Sequence, residues 1–486
     1  MSSYFTDLAQ QYIDGEWRPG TGSWDIIDFN PYDGEKLASI TIATTDEVDQ
    51  AYRAAERAQK AWGATNAYAR RAVFEKALRI IEEREAEISE VIIAELGGTR
   101  LKAGFELHLA KEFLRESIQL ALRPEGKIIP SPIDGKENRV YRVPVGVVGV
   151  ISPFNFPFLL SLKSVAPALA LGNGVVLKPH QNTPIVGGSL VAKIFEDAGL
   201  PGGLLNVVIT DIAEIGDAFI EHPVPKVISF TGSDKVGRHV ATVCASHFKS
   251  AILELGGNSA LVVLDDADID YAVDAAVFSR YVHQGQVCMA ANRVLVDRAI
   301  EAEFTDKFVA KVKTLKVGDP ADPQTIIGPV INSSQADAIS GTVEQAIAEG
   351  ATALVHGTTT DNLVEPSVLT GVPAGSSLLQ QEIFGPVVFL VPFDGEEEAV
   401  RLVNDTPYGL SGAVHTGDIE RGVNFAKQID TGMFHVNDGT VHDEPLVPFG
   451  GEKHSGIGRL NGETTVDAFT TLKWISVQHG RSFFPF

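Results

Sequence analysis

The chain has 486 residues, too many for one ordinary domain, so two or three are expected. Hydrophobic residues make up 44 %, enough for sizeable cores, and 40 basic against 63 acidic side chains leave a net charge of −23. So acidic a surface repels phosphate backbones and anionic lipid heads, which argues against nucleic acid and membrane as partners. The two cysteines make no disulfide framework and fit a reduced, cytoplasmic setting. Met1 to Asp7 carry no basic region ahead of an apolar core, so no signal peptide is expected. No apolar run of roughly 18 residues predicts a membrane span.

Residues 46–122 read as helices, with Val73, Ala77, Leu78, Ile80 and Ile81 at helical spacing and Gly97-Gly98 as a stop. Lys127 to Pro144 reads as two extended pieces around the Asp134-Gly135 turn. A strand–helix alternation follows. Strands are expected at 147–151, 175–178, 205–208 and 227–230, with a helix to about Leu171 after the first. Thr183-Pro184 is expected to cap and open the next helix, which Gly199 ends, and a further helix follows Ser233. A second α/β block is expected to begin near Leu253, with strands at 261–264, 293–296 and 387–391. Short apolar strands between helices imply parallel sheets covered on both faces. Leu472 to Val477 is also strand-like and is a candidate to pair with the 127–144 pieces outside both blocks.

Cys288 follows Tyr281-Val282-His283-Gln284-Gly285-Gln286-Val287, a polar and glycine-bearing stretch unlike the setting of an inert buried thiol. Cys244, in the helix expected around residues 239–244, fits the inert reading. Glu254 lies upstream in Leu253-Glu254-Leu255-Gly256-Gly257-Asn258. A thiolate attacks carbonyls and a carboxylate activates water, so the pair suggests a thioester that is made and then hydrolysed. A free thiol needs help to ionise at neutral pH, and the sequence does not say what supplies it. His283 invites a cysteine–histidine dyad, but a structural or pocket-wall histidine is the better reading, because such dyads are seldom built from sequence neighbours. No metal-ligand set is expected. No complete Gly-x-Gly-x-x-Gly or Walker A motif occurs, and Thr231-Gly232-Ser233 after a strand is alone only a helix-capping turn that suits phosphate.

Seven segments in order carry a resemblance over almost the full length: Ser152-Pro153-Phe154-Asn155-Phe156-Pro157, Lys178-Pro179, Phe230-Thr231-Gly232-Ser233, Glu254-Leu255-Gly256-Gly257-Asn258, Gly285-Gln286-Val287-Cys288, Glu382-Ile383-Phe384-Gly385-Pro386 and Pro448-Phe449-Gly450-Gly451. With them the chain resembles the aldehyde dehydrogenase superfamily. Residues 283–289 and 436–445 resemble most the benzaldehyde and vanillin dehydrogenases.

The resemblance implies two doubly wound Rossmann-type α/β domains plus a small β oligomerisation arm. Residues 1–125 and 145–252 would bind NAD(P), 253–440 would carry the catalytic cysteine, 441–464 would return to the cofactor domain, and 126–144 with 465–486 would form the arm. It makes Cys288 the nucleophile, Asn155 the oxyanion donor together with the Cys288 backbone N–H, and Glu254 the base for the hydrolytic water. Lys178 would meet the adenosine ribose, Glu382 and Phe384 the nicotinamide ribose, and Thr231, Gly232 and Ser233 the pyrophosphate. Ser152, Phe154 and Gln181 complete the expected cofactor site. Phe156, Leu159, Leu160, Val287, Met289 and Phe449, with residues 437–446, would line an apolar aldehyde tunnel.

Phe154 stands where many members carry Trp. Gln181 replaces the glutamate that NAD-preferring members often use. With Lys178 nearby, and His180 adding charge if protonated, that exchange implies use of both NAD and NADP. The expected activity is oxidation of an aromatic aldehyde to its acid by a homodimer or homotetramer. A CoA-acylating enzyme, a cofactor-free thiol hydrolase and a non-catalytic protein of the same fold are the alternatives. Glu254 argues against the first, the nicotinamide-site matches against the second, and the intact Cys288, Glu254 and Asn155 set against the third.

Overall fold

The computed structural model describes residues 4–486; Met1 to Ser3, where the stretch read for a leader begins, lie outside the described residues. In the first sheet, five parallel strands stand side by side in the order Leu205–Val207, Gly174–Lys178, Val147–Ile151, Val227–Thr231, Ser250–Glu254. Their side chains are almost wholly buried on both faces, as the continuous apolar runs require. The chain moves outward from Val147–Ile151 to one side, then crosses back to Val227–Thr231 on the other. The strand order therefore reverses beside Val147–Ile151, and a crevice opens there at the carboxyl ends. Gln11–Ile13, with the edge strand Glu16–Arg18 outside it, and Gly456–Ile457 extend the two sides antiparallel.

The second sheet holds seven strands, in the order Thr352–Val355, Ser367–Thr370, Val387–Phe393, Ala291–Asp297, Ser259–Val263, Gly412–His415, His435–Val436. All its pairings are parallel except the first. A separate three-stranded sheet joins Lys127–Ile129, Lys136–Pro144 and Thr470–Gln478, as the extended pieces suggest. It leaves Trp474 67 % and Leu472 61 % exposed.

Three expectations need correction. Ser250–Glu254 is the fifth parallel strand of the first sheet, so a boundary between 252 and 253 cuts a strand; the chain changes sheets at the Gly256-Gly257 turn. The final segment from 465 is not all arm, because Gly462–Phe469 is a helix packed on the helices Arg100–Leu120 and Pro157–Ala170. Finally, the Thr183 side chain caps nothing. The element after it opens as a π-helical turn, Ile185–Ser189, before Leu190–Asp197. Its free N–H groups at Ile185 and Val186 donate instead to the buried Glu95 carboxylate at 2.7 and 2.8 Å. A carboxylate from a distant helix replaces the local cap.

Candidate active site

The carboxyl ends of the first sheet supply four loops to one cavity of about 510 Å³. Ser152, Phe154 and Asn155 follow Val147–Ile151; Lys178 and Gln181 end and follow Gly174–Lys178; Thr231, Gly232 and Ser233 end and follow Val227–Thr231; Glu254 ends Ser250–Glu254. Backbone bonds Ser152 N–H to Lys178 O and Gly232 N–H to Glu254 O, both 3.1 Å, hold neighbouring loops in register. Across the cavity stand Cys288, just before Ala291–Asp297, and Glu382 and Phe384, just before Val387–Phe393. Every residue predicted for the cofactor thus lines the same cavity as Cys288, Asn155 and Glu254.

The loop that carries Cys288 is tightly tied. His283 and Gln284 take left-handed φ values of 51° and 55°, followed by Gly285 at 73°. Such a run in non-glycine residues is strained and must be held from outside. The buried Arg280 donates to the carbonyls of Gly285 and Ile383 at 2.8 and 2.9 Å, and Gln284 donates to those of Gly97 and Pro329 at 3.1 and 2.7 Å. Asn155 Nδ2 donates to the Gln286 carbonyl at 3.0 Å, which fixes this amide against the cysteine loop. At Gly257 a Cβ would come within 2.3 Å of the Cys288 carbonyl oxygen, so only glycine lets the two loops meet.

Burial governs the charges here. It raises the Glu254 carboxyl to about 7, with Asp443 acting in the same direction and Lys163 against it. It pushes the Cys288 thiol to about 12, helped by Glu382 and Glu254 and opposed by Lys163. Glu382, which accepts from the Gly257 N–H at 3.0 Å, is also raised to about 7 by burial. At neutral pH the resting thiol keeps its proton, with two carboxyls near their midpoints beside it. Lys163 is the cation of this cluster: its ammonium lies 2.8 Å from Asp443, 3.7 Å from Glu254 and 3.5 Å from the centre of the Phe449 ring. Burial pulls the Lys163 pKa down, but the two carboxylates more than offset that.

At the other end, Phe154 meets Phe384 and His180 edge-on, with ring centres 5.7 and 5.3 Å apart. Burial, with Lys178 acting the same way, holds His180 near 4, so the protonation on which its added charge depended does not occur at neutral pH. Burial also lowers Lys178, partly offset by Asp211. Gln181 is exposed at the rim, and Ser233, also exposed, caps the helix Asp234–Ser246 through the Val236 N–H.

Of the side chains expected in the aldehyde tunnel, Leu160 lines this cavity. Phe156, Leu159, Val287, Met289 and Phe449 are buried in the core cluster against which Cys288 and Leu160 pack. The His283 ring lies edge-on to Phe156 at 5.4 Å, and burial drives its pKa well down, so it is a neutral packing ring. Among the described residues no group of three or more His, Cys, Asp or Glu could hold a metal ion.

Sequence reasoning missed Lys163, Asp211 and Gln335, and it placed residues 437–446, which include Asp443, along the aldehyde tunnel without foreseeing the Lys163–Asp443 pair. Gln335 lines the cavity and donates to the Phe384 carbonyl at 2.9 Å. Lys163 did leave a signal: it is the one charged residue of the apolar helix Pro157–Ala170.

The pattern of the Aldehyde dehydrogenase family matches residues 17–475. A benzaldehyde dehydrogenase of Bacillus subtilis is 59 % identical over 99 % of both chains. A vanillin dehydrogenase of Corynebacterium glutamicum is 48 % identical, over 97 % of this chain and 98 % of the relative. Among solved structures, a salicylaldehyde dehydrogenase from Pseudomonas putida complexed with salicylaldehyde superposes with a TM-score of 0.94 at 35 % identity, covering 98 % and 99 % of the two chains. An NAD-dependent benzaldehyde dehydrogenase from Corynebacterium glutamicum gives 0.89 at 45 %, covering 97 % and 98 %. Motifs, fold and likeness over the whole length agree, and the chain belongs to the aldehyde dehydrogenase family.

Proposed function

We propose that this protein oxidises aromatic aldehydes to carboxylic acids through a thioester on Cys288. The observation that carries this reading is the convergence of Cys288, Asn155 and Glu254 on one cavity with Lys178 and Glu382. The Cys288 sulfur bonds to the aldehyde carbon as its proton passes to solvent, and Glu254, raised to about 7, is kept for the later water. Asn155 spends one amide hydrogen on Gln286 and keeps the other for the oxyanion, next to the Cys288 N–H. A donor of this kind is worth roughly 2.7–4 kcal/mol. A nicotinamide dinucleotide, when bound, supplies the hydride acceptor. Glu254 then takes a proton from the water that attacks the thioester, the C–S bond breaks, and Cys288 leaves to be reprotonated.

The cavity suits a dinucleotide in size and in its donors. Thr231, Gly232 and Ser233 would meet the pyrophosphate, Lys178 and Gln181 the adenosine ribose, and Glu382 with Phe384 the nicotinamide ribose. Ser152 and Phe154 would wall the site. On this reading the first sheet's domain binds the dinucleotide, the second carries the thiol, and residues 441–464 run back to the first. The substrate class rests on relatives that act on benzaldehyde and vanillin and on the solved salicylaldehyde dehydrogenase. Leu160, with the buried core side chains Phe156, Leu159, Val287, Met289 and Phe449 packed behind it and Cys288, gives an apolar setting that suits a flat ring. The exposed Leu472 and Trp474 on an unpaired sheet edge favour a second copy of the chain as partner. Among the described residues no helix is long and apolar enough to cross a membrane.

The test is absorbance at 340 nm with benzaldehyde, vanillin and acetaldehyde, with and without CoA. Benzaldehyde-type substrates should exceed acetaldehyde in kcat/KM, and CoA should leave the rate unchanged. Equal use of all three aldehydes would overturn the aromatic reading, and a CoA-dependent rate would turn it to acyl transfer.

A further inference from the structure

The exchange of glutamate for Gln181 removes a carboxylate from the expected ribose site, but the structure returns one from the neighbouring strand. Asp211 lies just beyond Leu205–Val207, the strand beside Gly174–Lys178, and the Val208 N–H to Leu177 O bond at 2.9 Å carries their pairing toward the carboxyl end. Asp211 therefore reaches the cavity next to Lys178, His180 and Gln181 and lines it with them. Its field is felt by both Lys178 and His180. Its Oδ1 accepts from the Ala213 N–H at 2.7 Å, which fixes the carboxylate at the wall. The other two carboxylates on the cavity wall, Glu254 and Glu382, belong to the Cys288 end.

We infer that Asp211 is a specificity-determining residue that selects NAD over NADP, an inference resting on the dinucleotide reading of this cavity. A carboxylate here accepts hydrogen bonds from ribose hydroxyls, as acidic residues do in dinucleotide folds. It also meets the 2′-phosphate of NADP as a like charge. His180, being neutral, does not relieve that repulsion, and among the described residues lining the cavity Lys178 is the one lysine or arginine. On this inference NADP is disfavoured where the sequence reading expected dual use: the carboxylate at 211 stands in for the one that Gln181 lacks.

The test measures the Kd of NAD, NADP, NADH and NADPH by calorimetry and cofactor fluorescence on the full chain, for wild type, Asp211→Asn and Asp211→Glu. Asparagine keeps an oxygen for the Ala213 N–H, so the loop should hold. Wild type should bind NAD at least ~10-fold tighter than NADP, and less so as salt rises. Asp211→Asn should shrink that ratio by ~10-fold or more, mainly by tightening NADP, and should lose the salt dependence. Asp211→Glu should keep discrimination. An unchanged NAD/NADP ratio in Asp211→Asn, or equal weakening of both, overturns the assignment alone. Wild type that binds no dinucleotide overturns the dehydrogenase reading and this inference with it.

Discussion

The two ends of the cavity are built differently. Around Cys288 the side chains are interlocked: Asn155 is bonded to the Gln286 carbonyl, Glu382 to the Gly257 N–H, and Lys163 to Asp443, while Arg280 and Gln284 hold a strained turn behind the thiol. Around Lys178 the wall is looser, with Gln181 exposed and Asp211 partly so. A site that makes and breaks covalent bonds needs atoms fixed to fractions of an ångström. A site that recognises a ribose needs the right charge at the right edge. Substitutions at the first end should therefore cost orders of magnitude in rate, and those at the second should redistribute affinity between cofactors.

The largest effect is expected at the thiol. Cys288→Ala should lower dehydrogenase turnover by at least ~10⁴-fold while dinucleotide binding, read by fluorescence, survives. Cys244→Ala provides the contrast: Cys244 is buried in the core with Tyr52 and does not itself line the cavity, and its loss should leave kcat unchanged. Equal losses in the two variants would end the distinction between them. Next comes Glu254→Gln. It should still give a stoichiometric burst of reduced cofactor in stopped flow, followed by turnover reduced roughly 10²–10⁴-fold, because the thioester forms but is not hydrolysed. Full steady-state turnover would remove Glu254 from the deacylation step.

The same contrast explains what could be read without a structure. Cys288, Asn155 and Glu254 sit in short ordered motifs, and the apolar runs at 147–151, 175–178 and 227–230 fall within strands that bring their loops to one edge. The strands need only local pattern, and the three site residues were legible through the family resemblance that the ordered motifs carry. The partners that were not foreseen depend on sheet order or on side-chain direction. Asp211 approaches Lys178 only because Leu205–Val207 lies beside Gly174–Lys178. Lys163 turns toward Glu254 only because Pro157–Ala170 packs its length inside the fold, and Asp443 arrives from 280 residues along the chain. Glu95, from a helix distant in sequence, takes the π-turn N–H groups that Thr183 was expected to cap. Whether His180 carries a charge stays open in the sequence, which does not report the desolvation that keeps it neutral.

The Lys163–Asp443 pair sharpens the comparison through pH. Glu254 must be ionised to accept a proton from water, so turnover should rise as pH climbs through about 7. Lys163 favours the ionised form, and Asp443 disfavours it. Lys163→Gln should therefore move this limb to higher pH and Asp443→Asn to lower pH, each by roughly one unit or less. The readout is the pH profile of steady-state kcat beside that of the burst. Shifts in the same direction, or none, would mean the pair holds the fold and does not tune the base.

The smallest effect is expected at Gln181. Gln181 lies at the exposed rim, so a charge placed there is screened by water and salt in a way the interior groups are not. Gln181→Glu adds a second carboxylate near Lys178, on the loop facing Asp211. If Asp211 already opposes the 2′-phosphate, the added charge acts on a cofactor that is bound weakly to begin with. KM for NADP should then rise by only about 2–5-fold at physiological salt, KM for NAD should change less than twofold, and both shifts should fade at high salt. The same substitution in an Asp211→Asn background should have a larger effect on NADP, because the rim charge would then be the only one opposing the phosphate. Measuring KM for both cofactors in the single and double variants gives the coupling between the two positions. A Gln181→Glu effect that is large alone and unchanged in the double variant would return the choice of cofactor to position 181.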